Sequence, residues 1–343
     1  MLVAAMSHLH TFLANVWLGF IGLFLMLYVI LDGFDLGIGV LSLFVRHDAR
    51  RGIMMASLSG VWDANETWLV LVGGALFGAF PEAYAVGLNA LYLPIVTMLF
   101  AFVFRGVAFE FRDHARHRRR WELSFGLGSL VAALCQGFAL GGLIGGFPVT
   151  HGVYSGGIFA WFSPFSVIVA FGVVCGYALL GATYLLIKTE GEHQQHSARH
   201  AWIAGAGMLA AAGAVSVWTP LRDPFVAQKW FGHGLITGFV VPPAFAIFCA
   251  IMLARALWKG HEHAPFFWSI GIFGASFLGL AASLYPYLIP NAVTVTEAAA
   301  DNMTLVFMLL GIGLLIPVML AYNAYQYMVF RGKTASSGYG ETD

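Results

Sequence analysis

Apolar stretches long enough to cross a bilayer recur along nearly the whole chain, separated by short polar links. A helix rises about 1.5 Å per residue, so a ~30 Å hydrocarbon layer takes about 20 mostly apolar residues. Nine segments meet that length: 12–45, 53–80, 83–104, 123–145, 161–187, 201–219, 234–257, 266–289 and 303–329. The pattern predicts an all-α integral membrane protein with nine transmembrane helices and no soluble domain large enough to stand alone. The first segment is too long for one crossing, at about 50 Å if wholly helical. It is expected to tilt, to bend near Gly33 and Gly37, or to project inward.

The basic residues orient these segments. With the N-terminus outside, 15 of the 17 Lys and Arg residues fall in inner links, and only Arg222 and Lys229 lie outside. Inner links of membrane proteins carry the excess of Lys and Arg, so this alternation predicts N-terminus out and C-terminus in. It also tests the helix count, because one miscounted span would scramble it. The expected organisation is a single membrane domain of two four-helix bundles plus one peripheral helix. Helices one to four occupy 1–145, five to eight 146–290, and the ninth with the tail 291–343.

Two polar stretches interrupt the apolar pattern. They are Asp32-Gly33-Phe34-Asp35-Leu36-Gly37 and Trp62-Asp63-Ala64-Asn65-Glu66-Thr67-Trp68. A carboxylate deep in lipid costs several kcal/mol unless it is paired, hydrated or protonated. Counted back from Arg46, Asp35 and Asp32 lie about 16 and 21 Å along the axis, and counted forward from Arg51, Asp63 and Glu66 lie about 18 and 22 Å in. The two segments are antiparallel neighbours, so both acidic pairs are expected at similar depth. Each pair has i, i+3 spacing, which places its members on one helix face. Clustered carboxylates can share protons and hold water, so Asp32, Asp35, Asp63 and Glu66 are candidates for a proton path. The competing reading is a polar cluster that fixes helix packing or contacts another subunit. Trp62 and Trp68 lie beside these acids, and a deep indole N–H needs an acceptor, either Asp63 or a bound ligand. Arg105 is read either as an inner-face anchor or as a partner for the carboxylates, a quinone or a lipid head group.

Composition agrees with the membrane class. The 343 residues are 59% hydrophobic and 10% charged, with mean hydropathy +0.80. A soluble domain carries about 25% charged residues. The 41 glycines suit close helix packing in lipid, and the zero net charge offers nothing to nucleic acid. Cys135, Cys175 and Cys249 are widely spaced inside apolar segments and read as small buried residues, and no metal centre is expected. The first apolar segment lacks a basic leader and cleavage signal, so it is expected to be retained. All twelve histidines lie near segment ends or in links. A transmembrane haem usually needs an axial His, and only His10 and His233, at span edges, come near that role.

The two motifs, Asp32-Gly-Phe-Asp35-Leu-Gly-Ile-Gly and Trp62-Asp63-Ala-Asn65-Glu66-Thr-Trp68, are followed by Gly73-Gly74-Ala-Leu-Phe and by Phe104-Arg105-Gly-Val-Ala-Phe-Glu110-Phe-Arg112. Together they closely resemble subunit II of the cytochrome bd-type quinol oxidases, including its cyanide-insensitive branch. The specific motifs lie in residues 30–112, and the second half is similar mainly in hydropathy. Ala64 stands where the family often has Gly.

The resemblance implies a bacterial inner-membrane oxidoreductase that oxidises quinol and reduces dioxygen to water. It implies a haem-bearing partner, subunit I, with two b-type haems and one d-type, or b-type only, and it allows small accessory subunits. Subunit II of that family normally binds no haem, and its positions matching Asp32, Asp35 and Asp63 are associated with a proton path from the inner side. Some members hold a structural ubiquinone near the positions of Trp62 and Arg105. Two other readings stay open: a proton-coupled transporter or channel using the same acids, and a scaffold that only stabilises the haem subunit.

Overall fold

Backbone N–H and C=O groups find no water in hydrocarbon, so an apolar chain satisfies them within helices. The structure, a computed structural model, describes residues 2–112, 115–232 and 240–334, with side chains from Met6 onward. Its long helices are α1 (Leu2–Ser42), α2 (Asp48–Ala56), α3 (Trp62–Ala79), α4 (Pro81–Ala90), α5 (Tyr92–Phe111), α6 (Arg118–Gly145), α7 (Pro164–Lys188) and α8 (Gly191–Arg222). After these come α9 (Pro224–Phe231), α10 (Val241–Trp258), α11 (Ala264–Leu284), a single turn α12 (Val295–Ala298) and α13 (Asn302–Val329). Two small antiparallel hairpins cap one end: β1 (Val149–Thr150) with β2 (Val153–Tyr154), and β3 (Tyr287–Ile289) with β4 (Val293–Thr294). His114, His233 and the start of the expected seventh span lie outside the described residues.

Among the described residues, eight helices are long and apolar enough to cross a membrane: α1, α5, α6, α7, α8, α10, α11 and α13. The expected second span, 53–80, is instead two helices, α2 and α3, separated by a turn at 57–61. Gly60 turns the chain there with φ +99, a left-handed conformation that favours glycine. The polar first turns of α3, with Asp63, Asn65 and Glu66, keep it out of the apolar set. The expected third span is likewise two pieces, α4 and α5, meeting at Leu91.

The first expected span runs as one continuous helix, α1, through its glycines. Those glycines serve contact. A Cβ on Gly37 would lie 1.8 Å from the Tyr177 carbonyl oxygen, and one on Gly39 would lie 2.0 Å from Ser129 Oγ. From the facing side, a Cβ on Gly181 would lie 2.6 Å from the Ile38 nitrogen. Small residues let helix backbones approach this closely, which is how helices associate in lipid. The result places α1 at the centre, packed against α3, α6 and α7.

Two apolar clusters surround it. One gathers Phe34, Leu36, Tyr177 and Leu180 around the C-terminal half of α1. The other gathers Trp17, Phe24, Trp68 and Phe80 around its N-terminal half. The end of α13 is tied to the remaining helices: Lys188 Nζ donates to the Phe330 carbonyl at 2.6 Å, and Lys333 Nζ pairs with Glu262 at 2.7 Å. Gln326 donates to the Gly60 carbonyl, and the Phe330 ring fills the space beside that glycine.

Candidate functional site

Three helices deliver one ionic cluster. Asp32 and Asp35 come from α1, Glu66 from the second turn of α3, and Arg105 from the middle of α5. Arg105 Nη1 donates to Asp32 at 2.9 Å and to Glu66 at 2.5 Å, and its Nη2 lies 3.8 Å from Asp35. The Arg105, Asp32 and Asp35 side chains are at most 1% exposed, whereas Glu66 is 26% exposed and forms the open edge. Close α5–α6 packing supports this: a Cβ on Gly128 of α6 would lie 2.8 Å from the Ala101 carbonyl and 3.4 Å from Arg105. The Phe125 ring lies 6.0 Å from the guanidinium carbon.

Neutral groups complete the cluster. Asn65 Nδ2 donates to Asp35 at 2.8 Å, and the Tyr327 hydroxyl of α13 donates to Asn65 Oδ1 at 2.9 Å. Asn65 belongs to the acidic motif of the sequence, whereas Tyr327 lies outside both motifs. The signal was available: Asn323, Gln326 and Tyr327 form a polar patch at the end of an otherwise apolar segment.

Of the four predicted acids, Asp32, Asp35 and Glu66 converge on Arg105, while Asp63 does not. Asp63 is exposed, beside the exposed Thr67, and its own carbonyl accepts the Thr67 hydroxyl at 3.2 Å. An i, i+3 pair is about 60° apart around the axis. Here that angle puts Glu66 inside the boundary of the buried face and Asp63 outside it. Trp68 is fully buried, and its indole N–H donates to Asn323 at 3.4 Å rather than to Asp63 or a ligand. Trp62 is half-buried, with its ring centroid 5.3 Å from that of Phe109 and its edge over Gly106.

A second buried network lies seven residues, about 10 Å, further along α5. Glu122 of α6 accepts Arg51 Nε at 2.6 Å and Arg112 Nη2 at 3.0 Å. Arg51 also donates to the Val45 carbonyl at 2.5 Å and pairs with Asp48. Arg51, Arg112 and Glu122 are buried, so this network staples α2, α5 and α6. Arg51 and Arg112 read in sequence as inner-face anchors, and nothing in their spacing pointed to Glu122.

The histidine at the first span edge is occupied. His10 ring nitrogens pair with Asn302 Oδ1 at 2.8 Å and the Thr296 carbonyl at 3.1 Å, an arrangement that does not fit an axial haem ligand. Among the described residues, no group of three or more His, Cys, Asp or Glu is placed to hold a metal ion.

Comparison with known proteins decides the class. The profile of the cytochrome bd terminal oxidase subunit II family matches residues 13–330. The chain belongs to that family. It is therefore a subunit of an oxidoreductase. The cytochrome bd-I ubiquinol oxidase subunit 2 of Escherichia coli (strain K12) is 27% identical, covering 93% of this chain and 94% of its own length. The cytochrome bd ubiquinol oxidase subunit 2 of Bacillus subtilis (strain 168) is also 27% identical, covering 96% of this chain and 98% of its own. A chain in the structure of bd oxidase from Geobacillus thermodenitrificans superposes with a TM-score of 0.76 at 18% identity, covering 93% of this chain and 99% of that one. That likeness shows a shared fold.

Proposed function

We propose that this chain is the non-haem subunit II of a quinol-oxidising terminal oxidase of the bacterial inner membrane, paired with a haem-bearing subunit I that reduces dioxygen to water. Within it, the cluster on Arg105 forms part of a proton path from the inner face. One observation carries this reading: a single guanidinium faces three carboxyl groups in a buried setting. One cation balances one carboxylate. Two uncompensated carboxylates in a low dielectric are costly, so the cluster is best balanced when it holds protons of its own.

The path has two ends in this proposal. The inner end is the Arg51–Glu122–Arg112 network. The other end is Glu66 with the exposed Asp63, at an edge of α3 that a partner subunit would cover. On this reading α3, about 27 Å long, also crosses the membrane and brings the number of spans to nine, with the N-terminus of the chain outside. Its packing against α1 and α13 supports that place. A structural quinone would rest against the half-open Trp62 ring. Arg105, enclosed by carboxylates, does not fit a head-group contact. Family membership favours the oxidase over a proton-coupled transporter.

The test uses the assembled two-subunit complex, purified with its haem spectrum and subunit composition recorded. Glu66→Gln and Asp63→Asn are expected to assemble normally and to lower quinol-dependent oxygen uptake about tenfold or more, the scale of a lost proton-transfer group. Unchanged uptake in both variants would leave only the scaffold role. Loss of assembly in Asp63→Asn would make that exposed carboxylate an interface residue instead.

A further inference from the structure

Three polar side chains that lie within apolar segments form a chain on the outer side of the cluster. They are Tyr28 of α1, Gln136 of α6 and Tyr177 of α7. The Tyr177 hydroxyl donates to Gln136 Oε1 at 2.5 Å, and Gln136 Nε2 donates to the Tyr28 oxygen at 2.7 Å. Gly33 makes room for this arrangement, since a Cβ there would lie 2.9 Å from the Tyr177 ring. Tyr28 stands one turn before Asp32 on the same helix face, which brings its hydroxyl to the Asp32 side chain. Asp32 Oδ1 is taken by Arg105, while its Oδ2 is buried with no hydrogen-bond partner.

A buried carboxylate oxygen strongly favours a donor. A glutamine amide offers donors on one side and an acceptor on the other, so its orientation sets the direction of the chain. With Oε1 accepting from Tyr177, Nε2 must donate to Tyr28, and the Tyr28 proton is left to point elsewhere. The reversed amide would draw the Tyr28 proton to Gln136 and leave Asp32 Oδ2 empty. We propose that Gln136 and Tyr177 are positioning residues that fix the Tyr28 hydroxyl as a hydrogen-bond donor to Asp32 Oδ2. Every donor in the chain then points toward the acidic cluster. An amide does not readily pass a proton on, so Gln136 also ends the titratable column on its outer side. This role deepens the proton-path reading and rests on it for its functional meaning, although the geometry stands apart from it.

The experiment is infrared difference spectroscopy on the purified two-subunit complex. The carboxyl band of Asp32 is assigned by its loss in Asp32→Asn. Tyr28→Phe keeps the ring and removes the donor, and Gln136→Met keeps the length and removes the amide. Both are expected to shift the Asp32 band to higher frequency, with the larger shift in Tyr28→Phe. An unmoved band in Tyr28→Phe overturns the proposal. A shift in Tyr28→Phe with none in Gln136→Met overturns the positioning role of the amide. If Gln136→Met does not assemble, Tyr177→Phe replaces it, with a smaller shift expected and an unmoved band again counting against the proposal. Oxygen uptake separates the two levels. If Asp32→Asn leaves uptake unchanged while Tyr28→Phe still moves the band, the proton-path reading fails and the positioning stands.

Discussion

Arg105→Leu is expected to prevent the subunit from accumulating in an assembled complex. The substitution leaves the buried Asp32 and Asp35, with Glu66 at their edge, without their shared cation. Removing one partner from a buried ion pair costs about 3–5 kcal/mol, because the other charge stays behind uncompensated. Whole-domain stabilities are only about 5–15 kcal/mol, so this loss is a large fraction. Arg105→Lys tests the geometry separately from the charge. A lysine ammonium is a point charge and cannot hold three carboxyls with a planar fork. It is expected to assemble with a lowered melting temperature. Yield and thermal unfolding of the detergent-purified complex report both variants. An Arg105→Leu complex that melts like the wild type would show that the cluster contributes nothing to the fold.

Gly37→Val carries the second large effect. Its Cβ would fall 1.8 Å from the Tyr177 carbonyl oxygen and 2.4 Å from the carbonyl carbon. Both are backbone atoms of a helix packed on its other side, so neither can swing away as a flexible side chain would. Ordinary overpacking costs about 1–3 kcal/mol, and a backbone collision between two helices should exceed that. The α1–α7 contact also positions Tyr177, so the loss reaches the cluster. No assembled complex is expected. Gly213→Ala on the exposed face of α8, where an added Cβ meets nothing within 4 Å, is the matched control and should leave yield unchanged or slightly improved. Equal yields of Gly37→Val and Gly213→Ala would mean that α1 and α7 do not pack at this distance.

Much of this protein was legible in its sequence, for definite physical reasons. Lipid demands long apolar helices, so hydropathy identified a helical membrane protein and located most of its spans. A carboxylate in lipid demands an explanation, so Asp32, Asp35 and Glu66 stood out by cost alone, and the motifs around them carried the family. Span boundaries were less accurate where helices break inside an apolar run. The turn at 57–61 splits the expected second span because Gly60 adopts a left-handed backbone, which hydropathy does not register.

What the sequence determined by itself is the class, the family and the presence of buried acids, since each follows from composition or from a motif read along one dimension. Tertiary structure alone decided which side chains meet. It placed three acids on Arg105 and left Asp63 outside, because a 60° difference around α3 straddles the edge of the buried face. It brought Glu122 between Arg51 and Arg112, and Tyr327 to Asn65 across 262 residues of chain. It also lined up Tyr28, Gln136 and Tyr177 from three helices. Periodicity gives each helix a face. Which face meets which neighbour depends on where glycines let two backbones touch, and that is a property of the packed bundle.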